Sequence, residues 1–285
     1  MTKSSDASTV LGVCLNQFSF GFAVCFRNPS GDVCLSRVLG YEMNRDPRFR
    51  QFSWQSVFTF NDIDKHVQVH LKNVYSTLSV GLILSCVAAY AFTLSTFLQS
   101  MTTMLMVLSF ITTLGSSLYI YFTPHSTESL SARLSAFFLF AFSTGLGFGP
   151  LLHVVSIINP ETIPTALLGA AVIFVSFSLA SLFTRKRYYL YLGALLMSAM
   201  SMLATFSFVN LFMRSPAIYQ AELYIGLMLF CGFVVFDTQM IVEKRKCGDT
   251  DFIWHTLDLF VDFVELFRHL LIILNSKRNR RENDD

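Results

Sequence analysis

Phe252-Ile-Trp-His-Thr-Leu-Asp258-Leu-Phe-Val-Asp262-Phe-Val-Glu265-Leu-Phe-Arg268-His269-Leu-Leu-Ile-Ile-Leu274 reads as one helix, long and apolar, with Asp258, Asp262, Glu265, Arg268 and His269 set among its Leu, Phe and Ile. On insertion scales a central Asp costs about 2.5 to 3.5 kcal/mol, while each Leu, Ile, Phe or Val returns about 0.3 to 0.6 kcal/mol. Two aspartates nearly cancel a dozen apolar residues. The segment therefore cannot face lipid and belongs inside a sheath of other helices, its polar groups turned to a paired or water-filled interior.

The sheath is found by working outward. Residues 73 to 127 contain no Asp, Glu, Lys or Arg, room for two spans of about 20 residues each. These fall at 74 to 97 and 104 to 122, divided by the polar turn Gln99 to Thr103 and closed by Thr123-Pro124-His125-Ser126. Proline ends the second because it lacks the backbone donor that a helix needs. Further spans read at 134 to 158, 165 to 183, 188 to 212 and 223 to 242, joined by short links of breakers or charge. The fold class is thus all-α: a seven-helix membrane bundle with a central acidic C-terminal helix wrapped by six others. Residues 1 to 50 read as a poorly ordered extension, 51 to 275 as the multi-span domain, and 276 to 285 as a charged tail.

Composition agrees. Of 285 residues 53% are hydrophobic and only 14% charged, against about 25% charged in a soluble chain. Mean hydropathy is +0.52. A net charge of +2 is too small for a surface that tracks phosphates, so no nucleic acid is expected as a partner. The cysteines include no C-x-x-C pair, and no zinc set or other cofactor is expected. Lys65, Lys72, Arg185 to Arg187 and Lys244 to Lys246 fall on one side of the bilayer, which the charge rule makes cytosolic together with the N-terminus. The tail residues Lys277, Arg278, Arg280 and Arg281 break that pattern if the last segment crosses. They favour a re-entrant or half-inserted segment as readily as a full span.

Acids inside a membrane are functional hypotheses by default. Asp237 lies in Phe-Asp-Thr-Gln near the end of the sixth span, and Asp258 and Asp262 stand four residues apart on one face of the seventh. Counting 1.5 Å per residue from the joining loop puts Asp237 within reach of either. Two carboxylates in one low-dielectric pocket cannot ionise independently, so they titrate as a coupled pair. Protonated, the pair shares a hydrogen bond and ties two helices; ionised, it repels and invites a cation. Asp237 and Asp262 would make a weak calcium site, since calcium prefers six to eight oxygens, and weak binding suits passage. Glu265 and His269 either extend this polar path or sit solvated at the membrane exit. The bland alternative has all these acids holding the last helix by pairing with Arg268, His269 or backbone. A remote one, an intramembrane aspartyl protease, lacks its Tyr-Asp and Gly-x-Gly-Asp motifs here. Gly145-Leu-Gly-Phe-Gly-Pro150 follows no strand and precedes no Lys-Ser/Thr, so it marks close helix packing or a Pro-induced break, not a phosphate loop.

The run Cys231-Gly-Phe-Val-Val-Phe-Asp-Thr-Gln239, followed by Ile253-Trp-His-Thr-Leu-Asp-Leu-Phe-Val-Asp-Phe263, resembles the Bax inhibitor-1 family, eukaryotic endoplasmic reticulum branch. Agreement continues through Tyr188 to Gly193, Asn159-Pro160 and His70-Leu-Lys-Asn-Val-Tyr75, covering about residues 60 to 275. The resemblance implies residence in the endoplasmic reticulum membrane, a pH-dependent calcium leak, and suppression of apoptosis and of the unfolded-protein response. It implies no enzyme activity and no cofactor, with calcium as the transported ion. Apoptosis regulators of the Bcl-2 family and stress sensors of the endoplasmic reticulum are the implied partners besides the lipid bilayer. The pH-sensing pair it implies matches Asp237 and Asp262, with Asp258 the additional acid of the eukaryotic branch. The short tail, ending in acids, departs from the lysine-rich tail of animal members.

Overall fold

The structure, a computed structural model, describes residues 65–126, 128–183 and 189–284, and among these the regular elements are helices. They are α1 (Lys65–Leu94), the short α2 (Thr96–Ser100), α3 (Thr102–Phe122), α4 (Leu130–Ile158), α5 (Thr162–Phe183), α6 (Tyr189–Met213), α7 (Pro216–Lys246) and α8 (Phe252–Asp284). Six of them, α1 and α3 to α7, are long and apolar enough to cross a membrane. The N-terminal extension expected over residues 1 to 50 lies outside the described residues.

Several boundaries differ from the sequence reading, among them the starts of α4 at Leu130 and of α7 at Pro216, and two of the differences bear on how the last helix is held. The first helix begins at Lys65, not at 74, because Val67, Leu71, Val74 and Leu78 repeat every three or four residues and are all buried. That apolar stripe is helical, but the polar residues between its members lower the average hydropathy and hide it. The other difference concerns α8, which continues past Leu274 to Asp284.

That continuation decides how the last helix sits. Asp251, just ahead of α8, accepts from Arg133 in the first turn of α4. At the opposite end of α4 its C-cap, Asn159, donates to Asn275 at 3.3 Å and to Asn279 at 2.6 Å, and Arg278 pairs with Glu161 at 2.8 Å. The two helices run parallel, tied at both ends over the 29 residues of α4, about 43 Å of helix. The re-entrant or half-inserted reading is therefore corrected: α8 passes the full length of the bundle. Polar side chains waiting beyond α4 meet its charged end, a partner that the charge rule does not see.

α8 packs directly on α7, α5, α1 and α4. Phe260 meets Phe137 and Phe140 of α4 edge-on, with centroids 5.8 and 5.7 Å away, and Phe263 meets Phe174 of α5 at 5.5 Å. α3 packs on α4 and α6 on α7, completing the sheath, and Tyr121 of α3 reaches Trp254 of α8 at 5.9 Å. Lipid tails are as apolar as leucine, so close van der Waals fit must hold such helices together. Gly145 shows this: a Cβ there would run into the Ser85 carbonyl of α1. The glycine-rich run is thus a packing motif, and Pro150 lies within α4, which continues to Ile158 without a break.

Candidate functional site: the seam between α7 and α8

The α7–α8 hairpin turns through Gly248, whose φ of +98° suits glycine. The register of the two antiparallel helices is set further along. Phe230 of α7 stacks on His269 of α8 at 5.5 Å, and the His269 ring occupies the space a Cβ on Gly226 would need. Seven residues are two helical turns, and stepping two turns from that contact toward the hairpin on each helix brings Asp237 level with Asp262. Both are buried, at 4% and 0% exposure. Asp258, Asp262, Glu265 and His269 follow each other at steps of four, three and four, so they line the face that His269 turns toward α7. Asp258, nearest the hairpin, is partly exposed. Next to Asp237, Thr238 is fully buried, and Gln239 donates to the Ser181 carbonyl of α5 at 3.5 Å.

Glu265 and His269 are not solvated at a membrane exit; both are buried, as is Arg268. Arg268 donates through Nε and a terminal nitrogen to one oxygen of Glu265, Oε2, at 2.8 and 2.7 Å. His269 Nδ1 is 2.8 Å from the Glu265 carbonyl oxygen, which can only accept, so Nδ1 carries the proton and a neutral ring presents its lone pair at Nε2, 3.4 Å from Arg268. For Glu265 the bland alternative thus holds in part, because this acid does pair with Arg268.

Several polar residues were missed by sequence reasoning. Glu222 of α7 is buried, and the sequence signal was there: between residues 188 and 236 it is the lone acid. It went unread because the span was started one residue after it. At the hairpin end, Arg133, 2% exposed, reaches His125 Nδ1 at 3.0 Å, the Ile120 carbonyl at 3.3 Å and Asp251, which also caps α8 by accepting from the Trp254 amide. Nearby, His70 Nε2 of α1 and His255 Nδ1 of α8 share a buried hydrogen bond at 3.0 Å. Among the described residues no group of three or more His, Cys, Asp or Glu gathers to hold a metal ion.

The architecture is that of a helical membrane protein, with charge concentrated along an interior seam. A family model described as "Inhibitor of apoptosis-promoting Bax1" matches residues 67–279. The chain belongs to the Bax inhibitor 1 family. Bovine Bax inhibitor 1 is 43% identical over 235 residues, which covers 82% of this chain and 98% of the bovine protein. Bax inhibitor 1 of Arabidopsis thaliana is 39% identical over 229 residues, 80% of this chain and 89% of that protein, and the Drosophila melanogaster protein of that name is 37% identical over 222 residues, 78% and 88%. Those proteins are named as inhibitors and not as enzymes. The region matched by the family model holds Asp237 and His269 of the seam together with Glu222 and the buried polar residues His70 and Arg133.

Proposed function

We propose that this Bax inhibitor 1 family member is a pH-sensitive calcium leak channel of the endoplasmic reticulum membrane, with a cytosolic N-terminus, that suppresses apoptosis and modulates the unfolded-protein response. The observation that supports this best is Asp262, fully buried on a helix that runs the length of the bundle. An acid in that position is expensive unless its charge is used. Asp237 and Asp262 form the latch. A shared proton ties α7 to α8, and its loss leaves two like charges that part or admit a cation. Calcium is held weakly because two carboxylates supply few of the oxygens it wants, with Asp258 as a third acid toward the hairpin. Glu265 and His269 extend the path. Bcl-2-family regulators and stress sensors of the endoplasmic reticulum are the partners through which the flux acts on cell fate.

A second reading makes the protein an interaction partner in cell-death control without conduction, its acids serving only packing. The Glu265–Arg268 ion pair favours it, since that acid already has a structural task. Flux separates the two readings. Purified protein in calcium-free vesicles should admit calcium in a manner that changes across pH 6 to 8, the range about neutrality in which coupled acids are expected to titrate. Asp237→Asn and Asp262→Asn should abolish the flux or its pH dependence. Folded protein that conducts no more than empty vesicles would favour the interaction reading.

A further inference from the structure

The line of polar residues on α8 does not end at Asp258. Three positions before it comes His255, so the steps run on toward the hairpin, and there α1 lies across the line. His70 Nε2 of α1 is 3.0 Å from His255 Nδ1, the rings stand edge-on with centroids 5.3 Å apart, and both are buried. Four residues to either side on α1, the His66 carbonyl accepts from Arg245 at the end of α7 at 3.5 Å, and the Val74 carbonyl from Thr256 of α8 at 3.4 Å. His66, His70 and Val74 thus share one face of α1, and that face meets the hairpin through polar contacts. Water is near beyond the histidines. Asp249 in the hairpin is 31% exposed, and its Oδ2 stands 3.9 Å from His255 Nε2, a buried atom without a hydrogen-bond partner.

We propose that His70 and His255 are the closing contact of the seam at its hairpin end, and that the α1 face from His66 to Val74 parts from α8 there to admit water to the line of acids. The bearing on flux rests on the leak-channel reading; the closing contact itself does not. Two ring nitrogens that face each other share one proton, because one must donate and the other accept. A bare lone pair on His255 Nε2 would look at the Asp249 carboxylate, so Nε2 carries a proton, Nδ1 accepts, and His70 donates. The contact is then a single hydrogen bond that needs no charge on either ring. On the other side of α8, Arg133 and Asp251 meet charge to charge. Charge-assisted bonds are the stronger kind. The entrance of α8 is therefore fastened firmly to α4 and lightly to α1, so α1 is the side that gives.

The test uses full-length protein and two readouts: calcium-45 entry into vesicles, and backbone amide exchange followed by mass spectrometry. His70→Ala should raise flux from a few-fold to about tenfold, the worth of one neutral hydrogen bond in an equilibrium, and speed exchange of the α8 amides between 256 and 265 by a similar factor. His70→Gln keeps a donor where Nε2 was and should leave both readouts at the wild-type level. His255→Ala should match His70→Ala, and the double variant should exceed neither, because the two remove the same contact. Additive gains, or gains that glutamine fails to reverse, would reduce the pair to ordinary packing and overturn the proposal. So would a folded His70→Ala protein with wild-type flux and exchange. Should that variant fail to fold, His70→Phe decides, since it keeps the bulk of the ring and drops the bond: raised readouts support the closing contact and unchanged ones refute it. Faster exchange with no flux from any variant would sink the leak and leave the contact standing, whereas Asp237-dependent flux, with both readouts unmoved by His70→Ala, would do the reverse.

Discussion

Helices α6 and α8 cross the same bundle and are built on opposite plans. From Leu192 to Met213, α6 carries no ionisable side chain, and it shows Leu195, Met202, Phe206 and Phe212 to the outside. α8 carries acids, arginines and histidines, and from Ile253 to Leu266 it is buried except at Trp254 and Asp258, which are partly covered. In a soluble protein the charged helix would be the outer one. Lipid reverses the order, because a side chain facing hydrocarbon has no water to solvate its charge, while neighbouring helices can supply partners.

The comparison can be broken at several points, and the largest effect is expected where charge is buried at the α8 entrance. Arg133→Ala leaves Asp251 and the α8 cap without their arginine; Asp251 is 20% exposed, so the loss should approach but not exceed the roughly 3 kcal/mol at the low end for breaking a buried pair. The unfolding midpoint in detergent should fall steeply; a midpoint equal to wild type would mean that this clamp does not hold α4 to α8. Next comes transplanting an acid onto the outer helix. Leu195→Asp, at a site 64% exposed on α6, should cost about 2.5 to 3.5 kcal/mol of insertion, read as loss of correctly inserted protein in a glycosylation-mapping assay. Normal insertion would show that α6 does not face lipid.

Packing changes should act more gently. Gly145→Ala forces α1 and α4 apart and should lose about 1 to 3 kcal/mol of stability. Gly115→Ala on α3, where a Cβ would meet nothing within 4 Å, should lose none and gain up to about 1 kcal/mol from helix propensity. Equal effects in thermal unfolding would undo the assignment of Gly145 to a close helix crossing. The smallest effect belongs to the far end of α8. Arg278 and Glu161 are 42% and 76% exposed, and an exposed pair is worth about 0 to 1 kcal/mol. Arg278→Ala should therefore leave the midpoint nearly unchanged, and a large drop would move the weight of that end from the buried Asn159 to the ion pair.

Much of the fold was legible. The apolar runs between 74 and 242 all became helices, because hydropathy over some twenty residues is a local property. His66, His70 and Lys72 hid the start of α1, whose stripe shows only when every third or fourth residue is read. The site was legible in part. Asp237 and Asp262 stood out as acids in apolar surroundings, and the Phe230–His269 contact sets them level. Glu222 escaped because it sat at a span boundary, and Arg133 because an arginine at the mouth of a helix looks like an ordinary flanking charge.

The amino-acid sequence by itself determined that the protein is a helical membrane bundle whose last helix must lie inside, because the cost of a charge in lipid belongs to each residue and adds along a segment. Only the tertiary structure decided that α8 passes the whole bundle, that Arg268 and Glu265 pair inside it, and that Arg133 closes the hairpin end. Those are meetings of residues far apart in the chain, 118 positions for Arg133 and Asp251 and 185 for His70 and His255. Composition and periodicity say which side of a helix is polar; which neighbour that side meets is settled by how closely the backbones can approach, as at Gly145 and Gly226.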